Sequence, residues 1–525
     1  MKNFSFVFKD RDFSDVLMPR LDYRVRSYSW DVLGGPKRAN IEVFGEEKSL
    51  WQLLDRLRAP VEIYNEQNVP VWWGYIHAMT VYVGGVKFGL SMESMANKLA
   101  VAYTTDNVRY TTDWSPDTVS AAEYGTKEML ISRAEISETN ALQLRDTQLQ
   151  GLKYPIPILD KFGGGVSSVE IDCRSWLDTL DWRYYENLAG KESFETLDGA
   201  DREIGEDDRP ICAQSFQISS TVAWDAKAIW LRIFKYPAAS NMTDNLVIKL
   251  YSSTVGGGGG SPNAELATSS LAGNSVPDRA TWTKFTLSAS VTLQPSTEYW
   301  IRANRSGAIS LTKYYEVDMN AAGGYEKGLM KLYNTNTGKW AQEFHHGYQG
   351  DVNFIVEGDL ATTAQISTMM TAVGEFITAT DIVNASGIET NPYRNGDNTA
   401  LFELFKLLAT GTSNDRRLLA EVTQQRRLRV YEEPAKPSVM EDIYHLDRLG
   451  KLYDKYGREV TNSTCPVGLW CSLHGVVPMN VDMSLIANPS PFFIEEAEYD
   501  VARDRYKVVR TRDQMEAIGG GIGEG

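Results

Sequence analysis

Apolar and polar positions along the chain change period several times, and each change marks a new element. Phe4, Phe6 and Phe8 alternate with polar neighbours until Lys9-Asp10-Arg11-Asp12 breaks the pattern, which predicts a first strand. Tyr23 and Val25, then Ile41-Glu42-Val43-Phe44, alternate as half-buried strands do, with Gly34-Gly35-Pro36 expected as the turn between them. Leu50, Leu53, Leu54 and Leu57 share one helical face, with Ser49 as the expected N-cap and Pro60 as the stop. Strands are expected at 61–64, 71–76 and 81–83, then a Gly84-Gly85 hairpin turn and further strands at 87–92 and 95–103. The pattern to this point is that of a small β-barrel with one helix.

Ser137 opens a second helix through about Lys153, with Ala141, Leu142, Leu149 and Leu152 on its buried side and Pro155 and Pro157 beyond its end. A strand is expected at 166–173. The stretch 209–359 is rich in Gly, Ser, Thr and Asn and reads as a run of short strands, from Gln214-Ser215-Phe216 to Asn353-Phe354-Ile355-Val356. Helical periodicity returns with Ile366, Met369, Met370, Val373 and Phe376, and again from Asn398 through Leu401, Leu404, Phe405 and Leu408, closed by Gly411. A hairpin around Gln424-Gln425 follows, 440–512 is β again, and the glycine-rich 519–525 is expected to be a disordered tail. The fold class expected is mainly β with α+β parts, an antiparallel β-sandwich being inserted into a scaffold whose flanks join around it.

Charge sharpens that division. The 525 residues carry a formal net charge of −16, yet 209–358 holds 13 bases against 11 acids and the remainder 40 against 58. An acidic scaffold argues against general nucleic-acid binding, which needs a basic face to neutralise phosphates. No apolar run reaches the length of a membrane span, and the alternating N-terminus lacks the continuous apolar core of a signal peptide, so synthesis in a cytoplasm is expected. Eight acids and one base between Glu192 and Asp208 suggest a solvated linker. The four cysteines form no Cys-x-x-Cys pair; buried thiols are expected, with a Cys465–Cys471 bridge left open.

Candidate chemistry changes the picture little. His345-His346 is the one histidine pair, and adjacent strand residues point to opposite faces. His77 reads as packed, and His445 and His474 have no partner in sequence. Gly256 to Gly260 is followed by neither Lys-Ser/Thr nor a helix start, so it is not a phosphate cradle. Asp178 and Asp181 are the first carboxylate pair to test, read as solvated or capping. No nucleophile-elbow, zinc-protease or dinucleotide fingerprint occurs. No catalytic residue, metal ligand or cofactor is assigned, and an enzyme is not expected.

Several motifs carry a resemblance. Gly34-Gly35-Pro36-Lys37-Arg38-Ala39, Trp72-Trp73-Gly74 and the segment Asn97 to Tyr103 look like the first domain of bacteriophage tail proteins. The Tyr124-Gly125-Thr126-Lys127 strand with the helix after it resembles that domain in tail hub proteins, and Cys173 to Trp182 is similar to a tail-tip segment. The resemblance implies a tail-tip or baseplate hub: β-barrel domains arranged as a ring, commonly a trimer, contacting tube, distal tail and fibre or spike proteins in a virion assembled in the host cytoplasm. The insertion resembles carbohydrate-binding-like jelly rolls through Gln214-Ser215-Phe216, Thr297 to Ile301, Tyr314-Tyr315, Gly328, Gly338-Lys339-Trp340 and Asp351 to Phe354. Sugar faces need flat rings to stack on pyranose C–H groups. The glycan-contact candidates are Trp340, Tyr314, Tyr315, Tyr325, Tyr333 and Tyr348, whereas Trp282, Trp300 and Phe354 are expected in the core.

The domains expected are a first hub barrel at 1–160, a connecting segment with the acidic linker at 161–208, the sandwich at 209–359, an α+β scaffold domain at 360–435, a second hub barrel at 436–515 and a tail at 516–525. The partner of the sandwich is expected to be a host-surface glycan or a neighbouring tail protein. A virion-borne or secreted glycan-degrading enzyme with an accessory binding module, or a tail spike with no ring role, are the alternatives.

Overall fold

The computed structural model describes residues 4–512 except 15–20, 106–107, 162, 187–189, 197–199, 207–209, 221–222, 255–259, 322, 343, 346–347, 359, 384–388, 391–396, 413, 415, 436–443, 447–451, 454–466 and 474–491. The fold is mainly β and its sheets are largely antiparallel. The chain forms two compact units: one of 1–185, 369–388 and 396–525, the other of 186–368 and 389–395.

In the first unit a large sheet is organised around the strand Pro70–Val83, whose alternating burial follows its alternating sequence. The two strands expected at 71–76 and 81–83 are this one element, because the chain stays extended through Gly74 to Met79, with Gly74 to His77 and Met79 buried. Gly74 itself is required: a Cβ there would sit 2.1 Å from the Arg174 carbonyl oxygen. Ser168–Arg174 lies between Pro70–Val83 and Leu33–Phe44, and Asp22–Asp31 continues the sheet. Ser27 to Asp31 then pair with Asp500 to Glu496, and Leu33-Gly34 with Ala420-Glu421. Residues from before and after the second unit therefore share one sheet, which the described strands Phe492–Asp500 and Arg505–Arg512 extend.

Several local expectations change. Gly34-Gly35-Pro36 lies inside Leu33–Phe44, where Gly35 pairs with Asp31 across a bulged register, so the turn falls earlier, at Val32. The helix Glu47–Gln52 has Glu46 at its N-cap and passes into a 3-10 turn, Leu53–Arg56; Ser49 is inside the helix. Tyr124 ends the helix Thr118–Tyr124, and the strand thought to begin there is Glu128–Arg133. Ser137 does cap Glu138–Leu152, accepting from the Asn140 N–H at 3.4 Å. Ala141 and Leu149 of that helix pack on Val101, Tyr103, Ala96 and Leu99. Gly411 takes a positive φ of 79° just past the helix Ala400–Ala409, and the hairpin Leu418–Val422 with Arg427–Glu432 forms around Gln424-Gln425.

The second unit is an antiparallel sandwich. One sheet runs Lys191–Phe194, Phe354–Glu357, Trp224–Tyr236, Tyr314–Asn320, Ala200–Ile204, with Thr281–Leu293 and Asp351–Val352 beside it. The other runs Pro262–Ala272, Asn245–Ser253, Tyr299–Arg305, Ile211–Phe216, Met330–Asn334, Lys339–Ala341. Phe216, Ile229, Leu231, Ile248, Leu250, Ile301, Val317 and Phe354 fill the space between them. The acidic stretch 192–208 is not a free linker. It supplies two strands, and Glu192 is buried, accepting from Tyr325 Oη at 3.1 Å and from the Ser219 N–H at 2.5 Å. A count of charges does not reveal which carboxylates have a buried donor waiting.

Candidate functional site

The side chains of the six-stranded sheet alternate between the core and an outer face, and register fixes which residues meet there. Tyr299, Ile301 and Ala303 point into the core, so Trp300, Arg302 and Asn304 point out; Leu246, Ile248 and Leu250 do the same for Val247, Lys249 and Tyr251. Across the strands, Tyr251 pairs with Trp300 and Trp300 with Ser215. One step along, Lys249 pairs with Arg302, Arg302 with Ala213 and Ala213 with Lys331. One step further, Ile211 pairs with Tyr333 and Tyr333 with Trp340.

The result is a face that carries rings and cations together. Ala213, Tyr251 and Trp300 form their own buried cluster, against which Leu329 and Trp340 pack. The Lys331 ammonium lies 5.4 Å from the centre of the Trp300 ring, and the Arg302 guanidinium 5.6 Å from that of Tyr251. Trp300 Nε1 donates to Ser253 Oγ at 3.3 Å, and Ser253 Oγ to Glu298 at 2.5 Å. Arg302 donates to Tyr251 Oη at 3.1 Å, while its buried Nε has no partner. Lys331 donates to the Gly260 carbonyl, and burial lowers the pKa of its ammonium, opposed by Glu298. Lys249 is held by Glu265 at 2.8 Å. Tyr333 and Trp340, both half-buried, meet edge-to-face at 5.2 Å near the rim of the sheet.

The sequence-derived candidates separate sharply. Trp340 and Tyr333 are the two that come together on this face. Tyr315 is fully buried, donating to the Asp244 carbonyl at 2.7 Å, and Tyr325 is buried between Phe194 and Phe354; both belong to the sandwich interior. Tyr314 is buried on the other sheet, stacked at 4.9 Å on the exposed Tyr236. The side chain of Tyr348 lies outside the described residues. Of the expected core residues, Phe354 is in the core, Trp300 is buried but on the outer face, and Trp282 is half-buried opposite Arg232. Tyr251, Arg302 and Lys331 were missed, although period-two alternation around them was visible in the sequence.

Elsewhere, the 3-10 helix Trp176–Trp182 sets Asp178 in a cavity of about 270 Å³ with Gly34, Lys37, Leu177, Leu401 and Phe405. Burial pushes its carboxyl up to about 6, against the pull of Arg174 and Arg38. Asp181 points elsewhere and accepts from Thr399 Oγ1 at 2.9 Å. The two therefore do not act as a pair across one site. His77 is buried, its Nε2 2.8 Å from Glu93, and burial lowers it to about 4. Glu93 also accepts from Arg174 at 2.9 Å. Cys173, Cys212 and Cys471 are free, buried thiols. Cys465, His346, His474, Gly256 to Gly259 and the tail 519–525 lie outside the described residues, as do the side chains of His345 and His445. Among the described residues no group of three or more His, Cys, Asp or Glu could hold a metal ion, and no helix is long and apolar enough to cross a membrane.

No protein-family model and no curated protein matches the sequence. Among solved structures, the chain is similar to a tryptic core variant of the Bacillus thuringiensis Cry1Da toxin, at 9% identity over 58% of this chain and 51% of that one, with a TM-score of 0.17. It is similar to the mosquito-larvicidal Cry4Aa toxin from Bacillus thuringiensis at 10% identity, over 60% of this chain and 57% of that one, TM-score 0.17. It is also similar to a glycoside hydrolase family 43 arabinoxylan arabinofuranohydrolase from Bacillus subtilis, at 9% identity over 54% and 63%, TM-score 0.15. The matched stretch is thus just over half of each toxin chain and under two thirds of the hydrolase. Likeness at this level assigns neither a fold family nor an activity.

Proposed function

We propose that this chain is a structural component of a bacteriophage tail tip, a hub protein joining the tail tube to distal fibre or spike proteins, and not an enzyme. One observation carries the reading: a β-scaffold whose strands come from both ends of the chain is interrupted by a separate sandwich. That organisation suits a ring-forming body carrying an inserted module, the scaffold assembling as a homotrimer with other tail proteins. The sequence resemblance of Gly34 to Ala39, Trp72 to Gly74 and Cys173 to Trp182 supports it from a different direction. The sandwich meets a host-surface glycan, through the face that holds Trp340 and Tyr333 together.

Immunogold labelling of the phage particle tests the placement, with label expected at the distal end of the tail. Light scattering on the purified full chain is expected to give a trimer, or a monomer that trimerises with tube protein. A stable monomer that turns over glycan, with no label on the tail, would sink this reading in favour of a glycan-degrading enzyme.

A further inference from the structure

Deepening the reading that the sandwich contacts a glycan, we propose that the outer face of its six-stranded sheet binds an acidic saccharide, one whose sugar rings carry carboxylates. Two features of the face point to that class. The first is the juxtaposition of rings and cations in adjacent cross-strand rows. Tyr333 and Trp340 sit directly opposite each other, and the next row holds Lys331, Ala213, Arg302 and Lys249 in register. A pyranose resting on the Trp340 ring would have its ring substituents over the neighbouring row, since successive same-face residues on a strand are about 7 Å apart. Ala213, between Arg302 and Lys331 in that row, is buried in the cluster against which Trp340 packs, which ties the ring row to the cation row.

The second feature is a guanidinium without a carboxylate partner. Lys249 is held by Glu265, and Lys331 donates to the Gly260 carbonyl and feels the charge of the buried Glu298, which itself accepts from Ser253. Arg302 donates one terminal nitrogen to Tyr251 and pairs with no carboxylate among the described residues. A carboxylate is the acceptor a guanidinium matches best, through two parallel hydrogen bonds. A neutral sugar would stack equally well on Trp340 but would offer Arg302 only an uncharged, weaker acceptor. The opposite outer face of the sandwich carries Asp201, Glu203 and Glu316, which would repel the same ligand, so the binding is confined to one side.

The test uses the full chain. Hexasaccharides of oligogalacturonate, hyaluronan and polysialic acid, each beside its carboxyl-reduced form, are titrated by calorimetry at low and high NaCl. The expected result is binding to at least one acidic hexasaccharide, weakened about tenfold or more by carboxyl reduction and weakened again by salt. Lys331→Gln and Trp340→Ala are each expected to lose about tenfold, while Lys331→Arg and Trp340→Phe retain most of the affinity. The conservative pair, with melting curves, separates lost contacts from a loosened sheet. Tyr236→Ala, on the other sheet, should leave binding unchanged. Equal binding of acidic and reduced forms, with Lys331→Gln silent, overturns the acidic class and leaves the glycan reading standing. No binding to any saccharide, or capture of a tail protein through this same face, overturns both. Neither result bears on the tail-tip placement, which the labelling experiment decides.

Discussion

The two outer faces of the sandwich are built by the same rule and carry opposite charge. Each sheet lends alternate side chains to one shared core and turns the others outward. On the six-stranded sheet the outward row reads Lys249, Arg302, Lys331, with Tyr251, Trp300, Tyr333 and Trp340 beside it. On the seven-stranded sheet Glu203 lies directly opposite Glu316, and Asp201 opposite Asp318. Asp318 is compensated, since it is buried, paired with Arg232 and accepts from Asn353 Nδ2 at 2.5 Å. Glu316 is not: burial first, then Asp201, Glu203 and Glu206, push its carboxyl up to about 7. The difference teaches that near-neutrality of a module is a sum. It hides one face poised for anions and another on which like charges oppose each other at a cost.

The sharpest way to break the comparison is to remove its packed element. Trp300→Ala should cost about 3–5 kcal/mol, as for a fully buried aromatic, read by urea unfolding. A loss below about 1 kcal/mol would mean that the cationic face is not a packed layer. On the acidic face, Arg232→Met should cost about 3 kcal/mol, because it strands the buried Asp318 carboxylate. Adding Asp318→Leu to that variant should recover much of the loss; if it recovers none, the ion pair is not what holds the strand.

The pH dependence sharpens the comparison further. The folded pKa of Glu316 is raised from 4.5 to about 7, so the folded state holds this proton more tightly than the unfolded one. Its contribution is therefore fully present below about pH 4.5 and lost as pH rises through about 7. Glu316→Gln should flatten the fall in melting temperature across that window and raise stability above it, discounted for the partial exposure of the group. The smallest effect belongs to Tyr236→Ala, which removes one ring of a stacked pair and should cost about 1 kcal/mol in the same unfolding assay.

Much of the fold was legible because it follows from local period. The cap at Ser137, the glycine after Ala400–Ala409 and the Gly84-Gly85 hairpin are read from adjacent residues, and the structure keeps them. The failures share a cause. Gly34-Gly35-Pro36 reads as a turn locally, but Gly35 and Pro36 pair with Asp31 and Trp30, and Gly34 with Glu421, which holds the segment in a strand. The acidic run that begins at Glu192 reads as solvated, but Tyr325 and Ser219 supply donors to Glu192 from more than twenty residues away.

The candidate site shows the same boundary. Aromatic content and alternation in 209–359 were present in the sequence, and they sufficed to mark Trp340 and Tyr333. The sequence by itself determined which residues share a face of a given strand, since that depends only on alternation along the chain. Which strands lie side by side, and therefore that Lys331 and Arg302 flank Ala213 while Tyr315 and Tyr325 go inside, was decided by tertiary structure. Strand order and register arise from pairing between distant segments, and one residue of slip would have turned every one of these side chains to the opposite face.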